Sequence, residues 1–375
     1  MKIKFSRSLK DTYYKLKEIS NLNGLDNYIL DEYLTTNYSK ITSDTIEAIL
    51  KETKSNNKVE AFKEAFYQLF DLSEEDNELA LLNENNKFSD FKLLNSRIVN
   101  DNEYFKFISS LNLDDMAFNS IKLEKNYYEP YEGFLFDEVK LVSFYEQNNL
   151  GFFDERVYYY NLLDDKENYN VWMNITPFEI NTMKDNIKEA TGNVLTVGLG
   201  LAYFPFMVSN KDDVESITIV ENNKDIYDFI NNNLISKFKY KSKIKLVYED
   251  MYSYINSNSL TDFNYIFIDT YHQAIEAIPV YFKLLKKLTD SNVTYSFWIE
   301  NSILVEIRRF IFLLVSFEFE KSLKKEYFFN DDEKYILEKL ALLLKDYSIE
   351  NENDLLSLLE IKSIKKMLIE GLSHE

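Results

Sequence analysis

The sequence predicts an α/β chain in which a mostly parallel sheet with flanking helices is preceded by a helical N-terminal domain and a small β region. Three observations carry this. Short apolar runs between 194 and 300 alternate with stretches long enough for crossover helices, the pattern of a parallel sheet buried on both faces. Gly and Pro are scarce, 7 and 4 in 375 residues, yet three of the seven Gly sit at 192, 198 and 200. Ahead of this, residues 1–120 carry apolar residues at helical spacing and almost no helix breakers.

In order along the chain, Leu9, Tyr13, Leu16 and Ile19 mark a helical face, and Ile46, Ile49 and Leu50 mark another, with Asp44 and Glu47 spaced as a capping box. Polar runs at 73–78 and 83–87 are expected to be solvated loops. Residues 121–173 mix β-branched and aromatic residues with turn formers, as a small β-rich region does. Thr176, Pro177 and Glu179 then give an N-cap, a first-turn Pro and a capping-box acid for a helix that carries Ile180, Met183 and Ile187 on one face until Gly192.

Five strands follow: VLTVG (194–198), SITIVE (216–221), KIKLVYED (243–250), FNYIFID (263–269) and VTYSFWIE (293–300). The division expected is a helical domain at 1–120, a β-rich region at 121–173, a Rossmann-like domain at 174–320 and C-terminal helices at 321–375.

Composition narrows the function. Lys plus Arg is 43 against 63 Asp plus Glu, a net charge of -20, which repels duplex nucleic acid and anionic membranes. Without Cys, and with His272 and His374 as the sole histidines, there is no thiol nucleophile, disulfide, or Cys- or His-rich metal site; no metal is expected. The N-terminus lacks the apolar core of a secretory signal. The most apolar stretch, 303–319, contains Glu306, Arg308 and Arg309, so it is not a clean membrane span. A cytoplasmic protein is expected, and the helical domain is large enough to be a lid, an acceptor-recognition domain or the surface of a homodimer.

Ligands of open parallel sheets bind beyond the carboxyl ends of the strands, so the strand ends name the candidate site. After the first strand come Gly198, Gly200, Ala202 and Tyr203, a turn that lets backbone approach a ligand. The second strand ends at Glu221, followed by Asn222 and 21 residues beyond Gly200, the separation at which an acid accepts hydrogen bonds from ribose hydroxyls. The third delivers Asp250 and Met251, a carboxylate for an adenine amino group beside an apolar residue for its ring. The fourth ends at Asp269, with His272 one turn further if a helix begins near Thr270. Each residue has an ordinary alternative, since glycines end strands at plain turns and acids there often cap helices.

These residues resemble the class I S-adenosylmethionine-dependent methyltransferases over residues 175–300: the glycine motif in VLTVGLGLAY, the ribose acid Glu221 in TIVENN, the adenine-contacting acid Asp250 in YEDM and the strand-four site in FIDTYH. The layout is most similar to aminopropyltransferases of the spermidine synthase type. It departs from them at Ala202, where a third Gly is expected, and in lacking paired carboxylates in DTYH. The resemblance implies S-adenosylmethionine as cofactor and a small-molecule acceptor, with an amine among the candidates and Asp269 and His272 as catalytic candidates. Tyr127, Tyr128, Glu129, Tyr131 and Glu132, with Trp172 nearby in sequence, are candidates for an acidic aromatic wall around a cationic amine, with ordinary packing of an aromatic-rich chain as the alternative, and Trp298 and Glu300 at the end of the fifth strand are candidates to border the acceptor pocket. Three alternatives stand beside this reading: aminopropyl transfer, a nicotinamide enzyme, which Asp250 and Met251 disfavour, and a catalytically silent nucleoside-sensing module that binds a protein partner.

Overall fold

The computed structural model describes residues 1–35, 41–70, 89–164, 170–321 and 329–372. The loops expected at 73–78 and 83–87, and His374, lie outside the described residues. The chain forms two compact units, Met1–Ser20 with Thr270–Glu375, and Asn21–Asp269.

In the first unit, strand Lys2–Ile3 pairs in parallel with Ser348–Ile349, and Tyr13 stacks on Phe319 with ring centroids 4.1 Å apart. The apolar stretch at 303–319 falls within helix Glu300–Phe319, whose Ile303, Ile307, Ile311 and Val315 are buried. It is a core helix of this unit. Among the described residues no helix is long and apolar enough to cross a membrane.

The second unit holds the α/β sheet. Strands β1 (Gly192–Val197), β2 (Val214–Glu221), β3 (Ile244–Tyr248) and β4 (Tyr265–Ile268) run parallel in the order β3-β2-β1-β4. Val194, Leu195, Ile217, Ile219 and Ile266 are buried, as strands covered on both faces require. The order reverses between β1 and β4, the topological switch point of a Rossmann-like fold.

Helix α1 (Pro177–Thr182) begins as expected, with Thr176 as N-cap, Pro177 in the first turn and a complete Thr176–Glu179 capping box. The helical run breaks at Met183, resumes over Lys184–Glu189 and ends at Ala190, before Gly192, which opens β1 instead of closing the helix. Helix Ser43–Thr53 is capped by Thr42, whose hydroxyl accepts from the Thr45 N–H. The cap therefore lies two residues ahead of Asp44, and hydroxyl takes the place of carboxylate.

Two further sheets lie in this unit. Ala117–Phe118, Ile121–Tyr128, Val157–Asp164 and Asn170–Ile175 form an antiparallel sheet. Asp90–Leu93 pairs in parallel with Tyr145–Phe152, which pairs with Phe134–Val142. A strand at Asp90–Leu93 departs from the all-helical expectation for this segment. Its buried Phe91 packs edge-on to Phe66 at 5.2 Å, so tertiary burial overrides local periodicity.

One buried group gives this unit a pH dependence. Asp26 is 1% exposed and accepts from Ser89 Oγ at 2.9 Å and Asn148 Nδ2 at 3.1 Å. Burial nevertheless pushes its carboxyl up to about 6. A carboxyl raised on folding stabilises the native state when protonated, so this contribution is complete below the unfolded value and is lost as pH rises from about 4 through 6. Asp26→Asn is expected to flatten that part of the stability curve, measured as urea midpoints between pH 4 and 8, by about 3 kcal/mol across the window.

Candidate functional site

Register brings the strand ends level. Val197 lies beside Val220 on one side and Ile268 on the other, so Gly198 and Asp269 leave the sheet level with Glu221, the last residue of β2. The ladder continues one step past the strands, since Gly198 N–H donates to Val220 O at 2.9 Å and Asp269 N–H to Val197 O at 2.8 Å.

Beyond β1 the chain turns sharply, with positive φ at Gly198 (96°), Gly200 (48°) and Ala202 (60°), and enters helix α2 (Tyr203–Ser209). Left-handed backbone at Ala202 is strained for a residue with a Cβ, and the turn is held from outside. The Tyr104 hydroxyl donates to Leu201 O, and Asn102 Nδ2 donates to the Tyr203 hydroxyl at 3.2 Å. Tyr203 is buried, which pushes its phenol up to about 12. Neither Asn102 nor Tyr104 was legible as a loop anchor, because their partners lie about a hundred residues away in sequence.

Gly200 has a close neighbour within the chain: a Cβ built there collides with Met173 Sδ. Gly200→Ala is therefore expected to cost about 1–3 kcal/mol of stability through overpacking and the positive φ. Thermal unfolding of the Gly200→Ala, Met173→Ala double variant should recover part of the loss. No recovery would mean that backbone strain alone sets the cost.

Glu221 is buried and spans the site. Its Oε2 accepts from the Leu199 N–H at 3.1 Å and its Oε1 from the Asn223 N–H at 2.6 Å. Burial raises its pKa and these N–H donors oppose the rise. Asn222 beside it is exposed. Asp250 is exposed and caps helix Met251–Ser257, Oδ1 accepting from the Ser253 N–H at 2.9 Å, while Met251 is buried. The cap uses one carboxylate oxygen of this exposed residue.

Asp269 is half-buried. Burial pushes its carboxyl up to about 8, reinforced by the negative charges of Glu179 and then Glu221, and no hydrogen bond offsets the rise among the described residues. Glu179 is the carboxylate that sequence reasoning placed as a cap alone. Its Oε2 accepts from the Thr176 N–H at 2.8 Å and from the Thr176 hydroxyl, and burial pushes it up to about 7. The capping pattern explained Glu179 so fully that its charge effect on Asp269 carried no separate signal. The charges of Glu179 and Glu221 thus both act on Asp269 at the end of β4. Among the described residues no group of three or more His, Asp or Glu could hold a metal ion.

Other expected residues are placed differently. Helix Ala274–Asp290 begins four residues after Thr270, so the one-turn spacing of Asp269 and His272 does not hold. The Tyr271 hydroxyl donates to Trp298 O at 2.6 Å, which anchors this segment as a loop. His272 Nδ1 lies 3.4 Å from Glu276, and its N–H donates to the same carboxylate. The fifth strand is short, Thr294–Phe297, and Glu300 heads the following helix, bound by the Tyr281 hydroxyl at 2.7 Å and Lys365 at 2.8 Å.

Of the aromatic wall, Tyr127 and Glu129 turn to Arg156, whose guanidinium sits 4.3 Å from the Tyr127 ring centre and pairs with Glu129 at 2.7 Å. Tyr131 is buried against Phe152. Tyr128 stacks on Tyr159 at 4.6 Å and lies within the fields of Glu179 and Glu132.

No known protein-family profile matches the sequence, and no curated protein matches it. Thirty solved chains match in structure. One is M. capricolum TrmK in complex with the natural cofactor product S-adenosyl-homocysteine, with 12% identity over 26% of this chain and a TM-score of 0.23. The chain spans 44% of the length of that structure. Similarity of this size carries no functional weight.

Proposed function

We propose that the protein is an S-adenosylmethionine-dependent transferase, a methyltransferase acting on a small amine acceptor. The carrying observation is the level exit of Gly198, Glu221 and Asp269 from three adjacent strands at the switch point. The residues fit the cofactor. Glu221 spends one lone pair of each oxygen on backbone N–H groups, leaving acceptor capacity for ribose hydroxyls. Asp250 Oδ2 suits an adenine amino group and Met251 its ring. Asn222 and Tyr203 border the same turn.

When bound, the cofactor supplies a methyl carbon activated by a positive sulfur. The chain's own work is to hold the acceptor nitrogen in line and to accept its proton. Asp269 is the proposed proton acceptor: in the ionised form that a bound cation favours, its raised affinity for a proton suits it to take one from the acceptor nitrogen, and the negative charge of Glu179 suits a site that stabilises positive charge. His272 is the second candidate. His272→Gln should leave S-adenosylhomocysteine binding unchanged by calorimetry, and unchanged turnover would remove it from the mechanism. The cytoplasm, a small-molecule acceptor and a possible homodimer belong to this same reading, as do the boundaries 1–120, 121–173, 174–320 and 321–375.

The charge of Glu179 acting on Asp269 favours a second reading, aminopropyl transfer, because it brings from another element a second carboxylate of the kind missing in DTYH. Turnover with S-adenosylmethionine against its decarboxylated form separates the two. Turnover with neither, together with intact S-adenosylhomocysteine binding, would leave a nucleoside sensor.

A further inference from the structure

Strand Val157–Asp164 carries a polar atom that the transferase site does not use. Asn161 is 4% exposed, and its Oδ1 is buried with no hydrogen-bond partner among the described residues. A buried carbonyl of this kind is costly unless a donor reaches it, and it calls for an explanation. Cross-strand register puts Asn161 opposite Glu124 on one neighbour and Asn174 on the other, and strand alternation puts Tyr159 on the same face.

We propose that this face of the antiparallel sheet holds the ammonium group of an alkylamine, with Asn161 Oδ1 accepting one of its N–H bonds. Charge and shape select this occupant. The Tyr159 hydroxyl lies in the fields of Glu132 and Glu124, and the Tyr128 hydroxyl in those of Glu179 and Glu132, so an anion is repelled. Tyr128 is sandwiched between Phe134 at 4.1 Å and Tyr159 at 4.6 Å, so the half-buried Tyr159 ring, stacked by one face, is the one with a quadrupole face left for a cation. Lys122, on the same face, has its own charge met by Asp115 at 3.1 Å and Glu124 at 3.7 Å. An acceptor-only carbonyl beside carboxylates needs a partner that donates and is positive, which an alkylammonium is and an alcohol is not.

The inference deepens the transferase reading by naming where an amine acceptor's charge is held, and it rests on that reading for the amine's role as substrate. The test is calorimetric titration of the full-length protein at pH 7.5 with n-butylamine and, as a neutral isostere, 1-butanol. Butylamine should bind and butanol should not. Asn161→Leu should weaken butylamine binding about tenfold, the loss of one charge-assisted hydrogen bond, and leave S-adenosylhomocysteine binding unchanged.

Glu124→Gln should weaken the amine about threefold through the lost charge, which keeps the test open if Asn161→Leu does not fold. Equal butylamine binding in wild type and variants, or none in wild type, overturns the proposal and leaves a water as the partner of Asn161. Asn161-dependent amine binding in a protein that ignores S-adenosylhomocysteine would overturn the transferase reading alone.

Discussion

Replacing Glu221 with Ala is expected to weaken S-adenosylhomocysteine binding by about 1–3 kcal/mol, or roughly five- to 150-fold, and to lower thermal stability at the same time. Binding falls because the ribose hydroxyls lose their acceptor. Stability falls because the Leu199 and Asn223 N–H groups, now satisfied by the two carboxylate oxygens, are left without partners in a buried turn. Glu221→Gln separates the effects. Its amide keeps one acceptor oxygen, so stability should recover further than affinity. Asp250→Ala should cost a similar amount of binding, but a smaller amount of stability, since Asp250 is exposed and contributes one helix cap. Unchanged binding in both variants would show that the adenosine site lies elsewhere.

Asp269→Asn should change the preference between the sulfonium cofactor and its neutral product. Near neutral pH the wild-type carboxyl, pushed up to about 8, is largely protonated, and a bound cation draws the proton off. Affinity for S-adenosylmethionine should therefore climb as pH rises from 6 to 8, by up to about tenfold per unit, and level off above. Affinity for S-adenosylhomocysteine should stay flat at the sulfur. Asp269→Asn should abolish the climb and most of the turnover.

Stability takes the opposite sign. A carboxyl raised on folding contributes fully below about 4 and is lost as pH rises toward 8, so the Asn variant should melt higher than wild type at pH 8. A flat cofactor affinity across this range in wild type would remove Asp269 from the sulfonium's surroundings.

The parts of the fold read from sequence were those in which local period and burial agree. Runs such as VLTV and YIFI are buried on both faces and announce themselves as parallel strands. Thr176, Pro177 and Glu179 announce a helix start because capping is a three-residue affair. The rest depended on partners distant in the chain. Phe91 lies on a strand because Phe66 and Leu150 are there to cover it. Gly200 is constrained by Met173, and the glycine turn by Tyr104, contacts that no spacing rule contains. The helix expected near Thr270 begins at Ala274 because Tyr271 is tied to Trp298. Glu179 is the instructive case: one side chain completes a capping box and also loads negative charge onto Asp269, and a complete local explanation hid the second role.

Calorimetric titration of S-adenosylhomocysteine into the wild-type protein is the most direct test of an adenosine ledge built from Gly198, Glu221 and Asp250. Saturable binding at one site per chain, accompanied by a rise in melting temperature, is the result expected. Absence of both heat and thermal shift at millimolar ligand would contradict it.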